Sequence, residues 1–143
     1  MHTLIVTAHP EPGALTHAIA RRIGEAITAS DAANSVTHAD LMAEGFDPRF
    51  NMQDQALFRG TGATPADVAA EQARLQAADT LVLVYPLYWW SFPALLKGWI
   101  DRVFTQGWAY QDGADGKVQK KLQRLGVHLV GIGGAGADMI ERR

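Results

Sequence analysis

Apolar positions along this chain follow two alternating periods. Short unbroken apolar runs are separated by stretches in which apolar residues recur every three or four positions, so strands and helices are expected in turn. Residues 3–8 are a β-branched run, read as a buried strand. Pro10, Pro12 and Gly13 then break the chain into a loop. From residue 14 to about residue 29 the period is helical. Ala18, Ile19, Ile23, Ala26 and Ile27 share one face, and Arg21, Arg22 and Glu25 fall largely elsewhere. Residues 36–40 read as a weaker strand near a sheet edge. Residues 41–62 have no clear period, and their scattered Phe46, Phe50 and Phe58 describe a packed irregular excursion, suited to contact with a partner subunit. Thr64 as N-cap and Pro65 at the first position start a helix that runs to about Ala77.

The third strand, residues 80–85, is apolar at nearly every position, which places it at the centre of a parallel sheet with both faces covered. The helix over residues 94–104 turns Leu95, Leu96, Trp99, Ile100 and Val103 inward, leaving Lys97, Asp101 and Arg102 as its solvated complement. Residues 106–117 read as a loop with a turn at 113–116, and residues 117–124 as a basic solvated edge. Residues 125–132 form a fourth strand, and glycines follow at 133, 134 and 136. Such alternation means a parallel sheet with helices on both faces, and right-handed crossovers leave few strand orders. In the order 2-1-3-4 the chain reverses direction between strands 1 and 3, and ligands bind beyond the carboxyl ends of those two strands.

Two loops meet there. The first runs from His9 to Thr16 and feeds a helix N-terminus, where free N–H groups and the helix dipole favour a phosphate. Thr16 can add a hydroxyl and His9 a ring donor, although each taken singly has an ordinary reading: a backbone contact for the histidine, a helix cap for the threonine. The second, residues 85–93, reads Tyr-Pro-Leu-Tyr-Trp-Trp-Ser-Phe-Pro. So many large rings in a connection need a cover, either a flat heteroaromatic ligand or another protein surface. A phosphate loop facing an aromatic loop points to a phosphorylated aromatic cofactor, and a flavin nucleotide fits best.

Composition narrows this further. A chain of 143 residues, 48% hydrophobic and 20% charged, suits one domain with its own core. A net charge of −2 recommends neither nucleic acid nor an anionic membrane as partner. Cysteine is absent, which excludes disulfides and thiolate chemistry and leads to an expectation of a cytoplasmic protein. The opening residues lack the marks of a signal peptide, and no apolar run is long enough to span a bilayer. The spacing of His9 and His17 matches no zinc pattern, so no metal is expected. Residues 131–136 match G-x-G-x-x-G after a strand, but the helix, strand and acidic residue that a dinucleotide fingerprint requires do not follow. Close approach of backbone to the cofactor's other edge is the better reading.

Several stretches resemble the NAD(P)H:quinone oxidoreductase family, the flavodoxin-like group that includes DT-diaphorase and the potassium-efflux ancillary oxidoreductases. They are Ala8-His9-Pro10-Glu11-Pro12, Asp40-Leu41, the run Ala70 to Leu75 with Ala78-Asp79, Tyr85 to Trp90, Phe92 to Phe104, Gly107-Trp108-Ala109-Tyr110 and Gly133-Gly134. The resemblance implies one flavodoxin-like flavin-binding domain over residues 1–143, a three-layer α/β sandwich with strand order 2-1-3-4. It implies FAD, alternatively FMN, as cofactor. His9, Leu15 and Thr16 would meet the phosphates and ribityl chain. Pro86, Leu87, Tyr88, Trp89 and Trp90 would lie along the isoalloxazine, and Ile132, Gly133 and Gly134 along its other edge. Trp108 and Tyr110 would line a substrate pocket completed across a homodimer. NADPH or NADH would donate hydride, and a quinone would leave with both electrons. Relatives commonly carry a tyrosine shortly after the double glycine and a histidine further on. Met139 stands at the tyrosine's place, no histidine follows, and the fifth strand and last helix are missing, so a C-terminally incomplete domain is expected. These gaps leave the catalytic residues beyond the flavin unassigned. They also give weight to an alternative, a flavin-binding ancillary subunit of a transporter or another enzyme. A one-electron carrier is the weaker third reading, since such carriers are usually far more acidic.

Overall fold

The structure, a computed structural model, describes residues 1–134 and 136. Met139 lies outside them. The elements follow in the order β1 (His2–Thr7), α1 (Leu15–Ser30), β2 (Ser35–Asp40), α2 (Met52–Phe58), α3 (Ala66–Ala77), β3 (Thr80–Pro86), α4 (Ala94–Val103), β4 (Tyr110–Asp112), β5 (Val118–Lys120) and β6 (Gly126–Ile132). Four strands make one parallel sheet in the order β2-β1-β3-β6. The strand expected fourth from the sequence is β6, so the expected order holds. The small hairpin β4–β5 forms a separate antiparallel pair.

Side chains alternate across a strand, and both sheet faces are apolar at β1 and β3. On one face Leu4, Val6, Leu81, Leu83 and Tyr85 pack with Leu75 of α3 and Leu96, Trp99 and Val103 of α4. On the other, Ile5, Val82 and Val84 pack with Ala20 of α1. The sheet is therefore the middle of three layers. Its outer strand β6 is open: Val127 and Leu129 are 53% and 56% exposed, and no described strand pairs with its free edge. No helix among the described residues is long and apolar enough to cross a membrane.

Five local expectations change. First, the buried line of α1 runs through Thr16, His17, Ala20 and Gly24; of the expected stripe, Ile19 and Ile23 pack at its margin and Ala26 is exposed. Small residues let the helix sit close, and a Cβ at Gly24 would come within 2.8 Å of His38 Nε2. Second, the irregular excursion contains α2. Asn51 caps it, accepting from Gln53 N and Asp54 N, while Asp54 accepts from Asn51 N, a complete capping box. Third, Thr64 does not cap α3; Pro65 takes that position, which carries no side-chain bond. Fourth, the loop over residues 106–117 contains β4.

Fifth, Arg102 is not solvated. It is 2% exposed, and its guanidinium donates to Asp54 at 2.9 Å, to Asp67 at 2.6 Å and to the Asp47 carbonyl at 2.8 Å, with the Phe46 ring 5.4 Å away. A guanidinium spreads five donors in one plane, so it can join three segments that apolar contacts alone would leave loose. Gly98, one turn earlier, allows this closeness: a Cβ there would collide with Pro48.

Candidate functional site

Parallel strands deliver their following loops to one edge of the sheet. At that edge the loops after β1, β3 and β6 come together, carrying residues 8–14, 87–93 and 133–134.

After β1, the His9 ring accepts the Glu11 amide at Nδ1 (3.0 Å), which leaves the ring proton on Nε2 as a free donor. The chain then turns into α1 without a side-chain cap, since Ala14 holds the cap position. Thr16 is the second residue of the helix and buried, not its cap. The Ala14, His17 and Ala18 amides bond to Glu11 and Ala14 carbonyls. Among the described residues those of Leu15 and Thr16 have no such acceptor. Leu15 is 61% exposed above them. An uncapped helix start with free amides and a histidine donor beside it can receive a phosphate.

After β3, Tyr85 and Phe92 turn inward and pack with ring centroids 4.8 Å apart, so these two of the expected surface rings are anchors. Burial pushes the Tyr85 phenol up from its ordinary value. Between them the chain folds back on itself. Tyr88 and Ser91 exchange backbone bonds of 3.2 and 3.0 Å, closing a two-residue turn made of Trp89 and Trp90. Their φ values are +50° and +63°, the two positive values at non-glycine residues among those described. Such turns ordinarily hold Asn-Gly. Placing tryptophans there costs roughly 1–2 kcal/mol per residue. The strain sets Trp89, 96% exposed, outward, with Tyr88 and Trp90 partly exposed beside it. Strain of this kind clusters at ligand clamps.

The third wall is joined to the second. Leu87 N donates to Ile132 O at 2.9 Å, and Pro86 stands opposite Ile132 in the sheet. A Cβ at Gly131 would press the Leu87 side chain at 3.0 Å, so glycine there lets the two loops close up. Gly133 and Gly134 follow, exposed.

Trp108 and Tyr110 are elsewhere. The Trp108 indole donates to Gln76 Oε1 (3.3 Å) in the last turn of α3, and Arg124 holds the carbonyls of Gln76 and Ala78 just before β3 begins. That is the amino-terminal edge of the sheet. Tyr110 lines a cavity of about 330 Å³ there with Phe50, Asp54, Phe58, Arg102 and Phe104. Within one chain these two aromatics do not meet the carboxyl-edge cleft.

Two further residues lie at the cleft that the sequence presents in other roles: His17 as a metal-ligand candidate only, and Asp40 as part of a family motif only. His17, on α1, is 9% exposed, and its Nδ1 lies 3.8 Å from Asp40 Oδ2 at the end of β2. The His17 ring stands edge-on to His9, centroids 6.3 Å apart, and its Nε2 is buried with no partner. The only signal available was a histidine one position after Thr16.

These features define a doubly wound α/β fold whose cleft offers amide donors at one end and aromatic faces at the other. The flavodoxin-like fold family (Flavodoxin_2) matches residues 1–143, and the chain belongs to that family. It is 39% identical over 110 residues to the uncharacterised NAD(P)H oxidoreductase YcaK of Escherichia coli (strain K12), an alignment covering 76% of this chain and 55% of that one. It superposes on the NAD(P)H:quinone oxidoreductase of Methanothermobacter marburgensis with a TM-score of 0.88 and 27% identity, covering 99% of this chain and 71% of the other. The general stress protein 14 of Treponema denticola, solved in complex with FMN, gives a TM-score of 0.62 at 28% identity, covering 96% and 64%. The chain spans about half the length of the curated relatives it matches.

Proposed function

We propose that the carboxyl-edge cleft binds a flavin nucleotide and that the protein is an NAD(P)H-dependent quinone reductase. The strained Trp89–Trp90 turn facing the uncapped start of α1 carries this reading. Together they match a planar ring system joined to a phosphate. His9 Nε2–H and the amides of Leu15 and Thr16 hold the phosphate and the adjoining ribityl chain. Pro86, Leu87, Tyr88, Trp89 and Trp90 fix the ring plane. Ile132, Gly133 and Gly134 supply backbone to its far edge, where N–H donors favour developing negative charge. Bound there, the flavin supplies hydride chemistry, accepting a pair of electrons from NADPH or NADH and releasing it to a quinone in the same place, in ping-pong order. The chain's part is position, since hydride donor and acceptor must approach to roughly 3–3.5 Å.

Trp108 and Tyr110 reach this cleft only from a second copy, so the substrate pocket is that of a homodimer. FAD is the preferred cofactor and FMN the alternative. The relatives' names, and the FMN bound to one structural neighbour, support the flavin and the two substrates.

The test is an absorbance spectrum of the purified protein from about 350 to 500 nm, followed by anaerobic NADPH. A flavin band that NADPH bleaches, and that a soluble quinone restores, supports the reductase. A colourless protein that takes up neither FAD nor FMN overturns it. A bound flavin that NADPH leaves unbleached favours an ancillary binding subunit.

A further inference from the structure

We infer that the groove between α2 and residues 104–110 is the face on which a second copy of this chain docks, with Phe50 and Phe58 of each copy packed at its centre. The inference gives a surface to the homodimer of the reading above and rests on that reading in this respect.

It begins from a helix used inside out. α2 buries its acid, Asp54, and leaves its large apolar residues outside: Met52 is exposed, and Phe50 and Phe58 are 50% and 55% exposed. Polar bonds hold this arrangement. Asp54 accepts from the buried Arg102 guanidinium, which also donates to the Asp47 carbonyl. The helix is therefore fastened to α4 without its rings, and the rings are left for another surface.

Phe50 and Phe58 line the groove of about 330 Å³ together with Phe104 and Tyr110. Two half-exposed phenyl rings leave roughly 200 Å² of apolar surface, and the other two aromatics extend it. That suits the apolar centre of an interface of about 800 Å² per partner.

Three features select a second copy as the occupant. Exposed rings and a hollow share one patch, so two copies related by a twofold axis can seat their rings in each other's grooves. Charges of both signs border it: Asp101 lines the groove, Arg49 precedes Phe50 and Arg59 follows Phe58. A border of one sign would repel its own copy. Tyr110 belongs to the same groove, and it reaches the carboxyl-edge cleft only in another copy, so the face that meets that copy includes this groove.

Sedimentation equilibrium of the whole chain tests this. Wild type is expected to be a dimer at micromolar concentration. Phe58→Glu places a carboxylate at the centre from both copies and is expected to raise the dimer dissociation constant about 100-fold or more, with far-ultraviolet circular dichroism unchanged. Phe50→Glu is expected to act in the same direction. Leu129→Lys, on the exposed strip of β6, is expected to leave the dimer intact. A monomeric wild type overturns the inference, as does a dimer that survives both glutamates, or one lost with Leu129→Lys and kept with Phe58→Glu. Unfolding of both glutamate variants overturns it too, since the rings would then belong to the core. Flavin uptake separates the two readings. A protein that takes up neither flavin, but whose dimer parts with Phe58→Glu, keeps this surface and removes the flavin; a flavin-binding protein indifferent to both glutamates does the reverse.

Discussion

Trp89 lies in the connection from β3 to α4 and Trp99 in α4 itself, and they are used in opposite ways. Trp99 is fully buried, and its indole N–H donates to Glu71 at 2.9 Å. Around it most polar groups are paired: Glu71 also pairs with Arg74, Gln72 donates to the Val103 carbonyl, and Arg102 joins Asp54 and Asp67, leaving Asp54 Oδ1 as the buried exception. Trp89 is 96% exposed on a strained backbone, and the nearby cleft contains free amides and an orphaned histidine nitrogen. A satisfied region explains how the chain holds together. An unsatisfied one explains what the chain is for, because strain and exposure persist only where another molecule or a function offsets them.

The largest expected effect lies on the satisfied side. Arg102→Leu strands the carboxylate of Asp54 in the interior and is expected to cost about 3–5 kcal/mol, read as a lower urea midpoint. Trp99→Phe keeps the ring but abandons the Glu71 oxygen, a loss of about 1–3 kcal/mol by the same measurement. On the other side the direction changes. Trp89→Ala is expected to leave the urea midpoint within about 0.5 kcal/mol of wild type while lowering flavin affinity by about 0.5–1.5 kcal/mol. Unchanged flavin content on purification would remove Trp89 from the cofactor site. Trp89→Gly goes further: it suits the positive φ, so it is expected to raise stability by up to about 1 kcal/mol while still weakening flavin binding. A fall in stability would mean the turn belongs with the satisfied region after all.

The smallest effect is one of pH. The Arg102 guanidinium beside Asp67 holds its carboxyl below the usual carboxylate range. The folded value lies under the unfolded one, so the stabilisation is complete above about pH 4 and is lost as pH falls through the lowered value. Asp67 is half exposed, so the change is expected to be shallow, and replacing Asp67 by Asn should flatten that part of a stability–pH curve.

This contrast also explains what could be read in advance. Apolar runs report burial directly, so β1, β3 and the inner face of α4 were legible, and with them the sheet order and the cleft. A charged residue's place is set by distant partners. Arg102 follows Asp101 on a helix whose other charges are solvated, and nothing local says that Asp54 and Asp67 will enclose it. The α2 helix had a local sign, Asn51 three residues before Asp54, but it is short and its Phe58 remains exposed, so no apolar stripe announced it. The Trp89–Trp90 turn was legible as aromatic and not as strained, because tryptophan pairs are not turn formers. Trp108 and Tyr110 matched a motif, but within one chain they lie away from the carboxyl-edge cleft.

The edge of β6 that no described strand covers has a practical consequence for anyone handling this polypeptide. Its backbone donors and acceptors on one side are unclaimed among the described residues. Its exposed Val127 and Leu129 make a smooth apolar ribbon, with His128 as the only ionisable group on the strand. Ribbons of that kind template sheet growth between molecules. Concentrated samples should therefore scatter light and gel on warming, and a single lysine in place of Leu129 should be enough to keep them clear.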